Sequence, residues 1–315
     1  MDYIVFDLEW NQCPDGKDKE DKRLPFEIIQ IGAVKLNEQF EETDRFNEYI
    51  RPVLYKTLHF HTREILHVDI QSLRRARSFP EVASDFFSWC GTDPVYCTWG
   101  SSDLLELQRN LAFHGMESPF PFPLFYLDIQ KNFSLQMEDG KSRRSLEYVS
   151  NLLNLPKSTP FHNALSDSIY TSRVMQKLDK QALLNYFSID YYRVPGGRKE
   201  EILVQYGTYS KFVSKSFANK NDAMRDRKVA STPCYLCKKP AKKKIRWFTG
   251  NSRNYYCLCY CETHGWLKGK IRLKKTEEDR VFAVKTLKLI GTEEAKRIVD
   301  RKDAVRRKNQ RHRSS

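Results

Sequence analysis

The sequence predicts an α/β layer fold with a mixed sheet over residues 1–185 and a small α+β domain behind it. Three observations predict this. Short runs rich in β-branched and aromatic residues alternate with segments of helical periodicity up to about residue 180. The alternation breaks at "RVPGGRKEE" (193–201). Charge changes sign at the same place: residues 1–192 carry 21 basic and 28 acidic side chains, net −7, whereas 193–315 carry 33 and 12, net +21.

The elements follow in order. "YIVFDLEW" (3–10) is a first strand, and "NQCPDGKDKEDKRLP" (11–25) is a polar loop with Pro and Gly. "FEIIQIGAVKL" (26–36) and "TDRFNEYIRP" (43–52) are the second and third strands. "FPEVASDFFSWCG" has helical spacing and stops at Gly91, ahead of a strand at "PVYCTW" (94–99). "SSDLLELQRNLAFHG" begins with a Ser cap and ends at Gly115. "SLEYVSNLLNL" and "NALSDSIYTSRVMQKL" are two further amphipathic helices. Behind the break, 186–230 reads as a basic linker with helical segments, and 231–276 as a module of short aromatic strands. Residues 277–315 read as a basic helical tail, starting at "EEDRVFAVKTLKLIG". No apolar run approaches the ~20 residues that span a bilayer, and "MDYIVFDLEW" lacks the marks of a signal peptide. A soluble cytoplasmic protein with no membrane partner is expected.

The first strand ends in Asp-Leu-Glu. Alternate residues of a strand share a face about 6–7 Å apart, so Asp7 and Glu9 repel unless a cation lies between them. Taken alone, such a pair is an ordinary exposed one. Further acids change that. Asp103 sits in the first turn of the helix after "CTWG"; by itself it would complement the helix dipole. His162 precedes a late helix, and Asp167 lies within it, five positions on. Four carboxylates near one strand end suit hard divalent cations such as Mg²⁺ or Mn²⁺. Two such ions about 3.5–4 Å apart activate a water and stabilise the leaving oxygen of a phosphodiester. The imidazole can take a proton near neutral pH. The assignment is therefore Asp7, Glu9, Asp103 and Asp167 as metal ligands and His162 as general base. Trp10 and Trp99 flank the acids and are either stacking platforms for a terminal base or core aromatics. Glu27 reads as a strand-end acid.

D-x-E on a first strand, W-G-x-x-D at a strand-to-helix junction and H-x-x-x-x-D on a late helix together resemble the DEDDh family of 3′–5′ exonucleases. That family includes ribonuclease T, oligoribonuclease and proofreading exonucleases, and the likeness is nearer its exoribonuclease branch. The resemblance covers about residues 1–180. It implies a ribonuclease-H-like mixed sheet flanked by helices, two active-site Mg²⁺ or Mn²⁺, and stepwise release of nucleoside 5′-monophosphates from a single-stranded 3′ end.

Five of the eight cysteines crowd into residues 234–261. Cys234-x-x-Cys237 and Cys261-x-x-His264 form a four-ligand set suited to one structural Zn²⁺, as in a zinc ribbon. Cys259 could replace Cys261, because Cys257 and Cys259 have like parity on a strand. Between the pairs, Lys242, Lys243, Lys244 and Arg246 adjoin Trp247, a mixture of cations and aromatics that suits a single strand. The basic half has the footprint of a polyanion binder. Single-stranded RNA is expected in preference to DNA. The rival readings are a DNA proofreading or repair exonuclease and a catalytically silent zinc-dependent nucleic-acid binder.

Overall fold

The computed structural model describes residues 1–66, 70–156, 160–251 and 253–314. It divides into two compact units, Met1–Asp190 and the remainder from Tyr191. The division falls five residues beyond the expected 185.

The first unit contains β1 (Tyr3–Gln12), β2 (Phe26–Leu36), β3 (Glu42–Tyr49), α1 (Phe60–Leu66), α2 (Ile70–Arg74), α3 (Phe79–Cys90), β4 (Val95–Thr98) and α4 (Ser102–Phe113). Then come β5 (Phe125–Asp128), α5 (Ile129–Met137), α6 (Leu146–Leu152), α7 (Ala164–Lys177), α8 (Lys180–Asn185) and β6 (Ser188–Ile189). The sheet order is β3-β2-β1-β4-β5-β6. The first three strands are antiparallel, β1, β4 and β5 are parallel, and β6 returns antiparallel. This is the mixed, helix-flanked sheet that the sequence predicts.

Period-2 alternation along β1 divides two cores. Ile4, Phe6 and Leu8 face Phe79, Val82, Phe86, Leu104 and Leu107 of α3 and α4. Tyr3 and Val5 face Phe133, Ile169, Tyr170 and Val174 of α5 and α7. Asp7 and Glu9 continue that second row, so the strand's own parity sends both acids to the α7 side. The segment 125–137 had no strand or helix assigned from sequence. Four residues of β5 behind "SPFPFP" carry too little periodicity to be recognised.

The second unit contains β7 (Ile202–Gln205), β8 (Tyr209–Val213), α9 (Lys220–Arg225), α10 (Arg227–Ala230), β9 (Lys242–Thr249), β10 (Asn254–Cys261), β11 (Gly265–Lys275), β12 (Val281–Leu289) and α11 (Thr292–Ser314). Its six strands form one antiparallel sheet, ordered β7-β8-β12-β11-β10-β9. Two expectations are corrected here. Residues 186–230 are not a linker, because β7 and β8 form one side of this sheet. The start of 277–315 is not helical, because "VFAVKTLKL" is β12, in the middle of the sheet. Its burial is nearly continuous. A strand covered on both faces shows an apolar run that periodicity cannot tell from a helix. The module 231–276 is thus only part of a larger sheet. Among the described residues, no helix is long and apolar enough to cross a membrane.

Candidate active site and metal centre

Two close tertiary contacts bring α7 onto the acid-bearing strand. Asp7 pairs with Gly32 and Glu9 with Gln30 across the β1–β2 ladder. At Gly32 the helix lies directly on the strand: a Cβ there would stand 2.0 Å from the backbone N of Leu165. Only glycine permits that approach. Ser168 Oγ donates to Gly32 O at 2.8 Å. Gln30 Oε1 accepts from the Ala164 amide at 3.3 Å and the Asn163 side chain at 3.4 Å. Asn163 in turn caps α7, its side chain accepting from the Ser166 amide. The start of α7 is therefore fixed to β2, and Asp167 is carried to the end of β1.

Oxygens of Asp7, Glu9 and Asp167 all lie within 4.8 Å of one another. Asp103, buried at the N-terminus of α4, is not one of these three, but its field raises the pKa of Asp7 and Glu9. A β-bulge between Glu9 and Trp10 leaves the Ile28 amide to the Asn110 side chain of α4, which also donates to Phe26 O. This locks α4 to β2.

The acids are held at an electrostatic cost. Burial, then Asp103, Glu9 and Asp167, push Asp7 well above the usual carboxylate range. Burial, then Asp167 and Asp103, raise Glu9 to about 8. Burial raises Asp103 to about 7, although amides of Asp103 and Leu8 hydrogen bond to it. Burial raises Asp167 to about 6, against a hydrogen bond from the His162 amide at 3.2 Å. Oδ1 of Asp167 is buried with no hydrogen-bond partner. Crowded carboxylates with an unsatisfied oxygen are a donor set that divalent cations fit.

This has a consequence for stability. Raised carboxyl pKa values mean that, between about pH 4 and pH 8, the folded state binds more protons than the unfolded chain. The metal-free protein should therefore lose stability as pH rises through that window. Thermal unfolding should show Tm falling from pH 5 to pH 8. Millimolar Mg²⁺ should restore it most at pH 8, and Glu9→Gln should flatten the slope. A metal-free Tm that climbs with pH in parent and variant alike would contradict the cluster.

The other first-unit residues fall into place around this centre. His162 is exposed, with a left-handed backbone (φ 63°) and its amide tied to Asp167. Trp10 is half-buried, its ring 5.5 Å from that of Phe26. Trp99 is also half-buried, and its Nε1 donates to Arg144 O at 3.2 Å. Both indoles take part in packing. Glu27 is buried and has a larger role than a strand-end acid: its carboxylate accepts the amides of Val53, Leu54 and Tyr55 at 2.6–2.9 Å. Asn11 similarly binds Tyr55 O, Thr57 O and the His59 amide. Sequence reasoning missed the positioning roles of Gly32, Gln30, Asn110 and Asn11. The available signals were a glycine inside a strand and polar amides in apolar runs.

In the second unit, Cys234, Cys237, Cys261 and His264 converge. The separations are 3.5 Å for Cys234 Sγ to His264 Nδ1, 3.6 Å for Cys237 Sγ to Cys261 Sγ, and 3.7 Å for Cys261 Sγ to His264 Nδ1. Ligands at about 2.3 Å from a tetrahedral zinc stand roughly 3.7 Å apart, so the set fits zinc without rearrangement. The Cys234–Cys237 turn closes through Lys238, with φ 63° and its amide donating to Cys234 O at 2.8 Å. Amides of Cys237 and Leu236 hydrogen bond to the Cys234 sulfur. Burial opposes ionisation of Cys261, but hydrogen bonds from His264 and from two amides outweigh it and bring the thiol to about 6. Cys259 does not replace Cys261; Cys257 and Cys259 face each other, 4.0 Å apart, elsewhere on β10. One zinc per chain should be found by elemental analysis, and Cys237→Ser combined with His264→Ala should bring it near zero with loss of the domain's cooperative unfolding.

Along β9, Lys242, Lys243, Lys244 and Arg246 are exposed as expected. Trp247 is not an open stacking platform. Its Nε1 donates to Ala230 O at 2.9 Å, and its ring fills the space over Gly269, where a Cβ would meet it at 2.6 Å.

A mixed sheet with acids at the end of its central strand, a fourth acid from α4 and a histidine ahead of α7 defines a ribonuclease-H-like nuclease domain. Comparison with known proteins agrees. The RNase T family model, described as an exonuclease, matches residues 4–175, more than half of the chain, and the protein belongs to that family. It is 26% identical over 192 residues to 3′-5′ exoribonuclease 1 of Rattus norvegicus, covering 56% of this chain and 53% of that one. It is 23% identical over 176 residues to the 3′-5′ exonuclease crn-4 of Caenorhabditis elegans, covering 51% and 59%. The chain thus spans little more than half the length of these relatives. The crystallographic structure of the nuclease domain of 3′hExo, a DEDDh family member bound to rAMP, superposes with a TM-score of 0.50 at 20% identity. The match covers 60% of this chain and 96% of that one.

Proposed function

We propose that the protein is a metal-dependent 3′–5′ exonuclease that shortens single-stranded 3′ ends to nucleoside 5′-monophosphates, acting on RNA in preference to DNA. The observation that carries this reading is the convergence of Asp7, Glu9 and Asp167 oxygens within 4.8 Å. Asp7, Glu9, Asp103 and Asp167 would hold two Mg²⁺ or Mn²⁺. Bound there, such cations supply a nucleophilic water at neutral pH and neutralise charge on the leaving oxygen. His162 stands exposed beside Asp167 and accepts the proton of the attacking water. Similarity to 3′-5′ exoribonuclease 1 of rat, mouse and human supports RNA. The net charge of +21 from Tyr191 onward supports a strand-holding role for the second unit. Its thiolate-rich ligand set suits a reducing compartment, which supports a cytoplasmic location.

The test is a 5′-labelled single strand of RNA, and one of DNA with matching sequence, incubated with Mg²⁺. A ladder receding from the 3′ end, faster on RNA, is expected; no shortening of either would end the proposal. His162→Asn, which keeps a residue tolerant of the left-handed backbone, should lower kcat by roughly 10²–10⁴-fold. Strand binding should be unaffected. Unchanged kcat would remove His162 as the base.

A further inference from the structure

The second unit contains a cavity of about 460 Å³ that the nuclease chemistry does not use. It lies between the β7–β8–β12 side of the sheet and the strap that leads from α10 into the zinc-binding turn. Its walls are apolar: Leu203, Phe212 and Leu287 from the three strands, Pro233 and Tyr235 from the strap. A volume of this size is in the range that holds a drug-sized or nucleotide-sized ligand.

Its charged side chains are three lysines, Lys228, Lys238 and Lys285, and one carboxylate, Glu201, with neutral amide and hydroxyl groups beside them. Lys285 of β12 is 5% exposed. Its ammonium donates to Lys228 O and to Ser231 O, lies 5.1 Å from the centre of the Phe212 ring, and approaches the Ser231 hydroxyl at 3.5 Å. That last distance is too long for a good hydrogen bond, so a buried cationic donor lines the cavity incompletely used. Burial lowers Lys285 to about 8, which leaves it largely charged at neutral pH. Gln205 adds an amide. Lys228 pairs with the buried Glu201 at 2.8 Å, and Lys238, exposed, reaches Gln205 and Tyr235 O. Leu203, 69% exposed, marks the open side. Three lysines against one carboxylate favour an anionic ligand; the apolar walls favour a flat one.

We propose that this cavity binds one unstacked nucleotide of the substrate strand. The base enters between the apolar walls beside Phe212, a ring carbonyl accepts from Lys285 or Gln205, and the phosphate lies at Lys238. Bases with a carbonyl, such as uracil or guanine, are preferred over adenine. The inference rests on the reading of the protein as a nuclease and gives its second unit a base preference at a distinct subsite.

The zinc-loaded full chain carrying Asp7→Asn, so that the strand survives, is irradiated with a 4-thiouridine-containing RNA, and the crosslinked peptides are mapped. Crosslinks are expected on peptides that contain Phe212 or Tyr235. Oligo(U) should compete for them better than oligo(A). Leu203→Trp, which fills the cavity from its open side, should abolish them. It should weaken strand binding by about tenfold, the scale of one base stacked on an aromatic ring, without changing the salt dependence of Kd. Lys238→Asn, compatible with the left-handed backbone, should instead lower the salt slope by about one. Crosslinking of free 4-thiouridine monophosphate at the same peptides would overturn assignment to the strand and mark a site for a free nucleotide. Strand binding with crosslinks confined to other peptides would overturn the subsite and leave the nuclease reading intact. Absence of strand binding at every salt concentration would overturn both.

Discussion

Replacing Asp7 by Ala should lower kcat/KM on a single-stranded 3′ end by roughly 10³-fold, while the strand still binds. Asp7 is the centre of the cluster: its carboxyl feels Asp103, Glu9 and Asp167, which none of the other three does as completely. Cation stabilisation of charge in the transition state is worth several kcal/mol, and each 1.36 kcal/mol is about tenfold in rate. Binding survives because removing a negative group reduces repulsion of the phosphate. Asp7→Asn gives the complementary readout. In metal-free buffer at neutral pH it should unfold at a higher temperature than the parent, since a crowded, desolvated acid has been neutralised. Added Mg²⁺ should stabilise it less than the parent. Parent-like kinetics in either variant would remove Asp7 from the site.

Gly32→Ala should damage the enzyme nearly as severely without touching a catalytic group. The new Cβ would lie 2.0 Å from Leu165 N, 2.2 Å from Ala164 C and 2.5 Å from Leu165 Cα. All three are backbone atoms, so no side chain can swing aside, and α7 must lift from β2. Lifting it stretches the Ser168–Gly32 and Gln30–Ala164 hydrogen bonds and withdraws Asp167 from Asp7 and Glu9. Overpacking typically costs about 1–3 kcal/mol, which in a unit of this size lowers Tm by roughly 2–12 °C. A misplacement of about 1 Å at a reacting centre can cost 10²-fold in rate. Paired thermal unfolding and single-turnover assays would check both figures. An alanine variant with parental kcat would show that α7 does not need this contact to place Asp167.

The five candidate active-site residues stand out in the sequence because their chemistry is concentrated in short motifs whose spacing matches one strand and two helix starts, and the structure brings the oxygens of three of them, Asp7, Glu9 and Asp167, together. The Cys/His cluster that could hold zinc was legible for the same reason, and the alternative at Cys259 was not resolvable, since strand parity allows either thiol. Trp247 reads from sequence as part of a single-strand surface because a tryptophan beside lysines has the same composition whether it stacks on a base or fills the space above Gly269. Strand β12 was misread as a helix because both of its faces are covered. The domain limits failed with it: β7 and β8 form one local hairpin and β11 and β12 another, but the ladder that joins the two hairpins pairs Val213 with the distant Val284.

The sequence by itself determined which side chains carry charge or thiol, their parity along β1, and that cations must reconcile the acids. The tertiary structure alone decided that α7 crosses at Gly32, that Asn110 and Gln30 hold the flanking helices, and that 202–289 closes into one sheet beside the Cys/His cluster and the nucleotide-sized cavity. Parity and capping act over a few residues and are written in the local order of the chain. Close approach, burial and strand partnership depend on which distant surfaces exclude water together, and that is settled only when the chain packs.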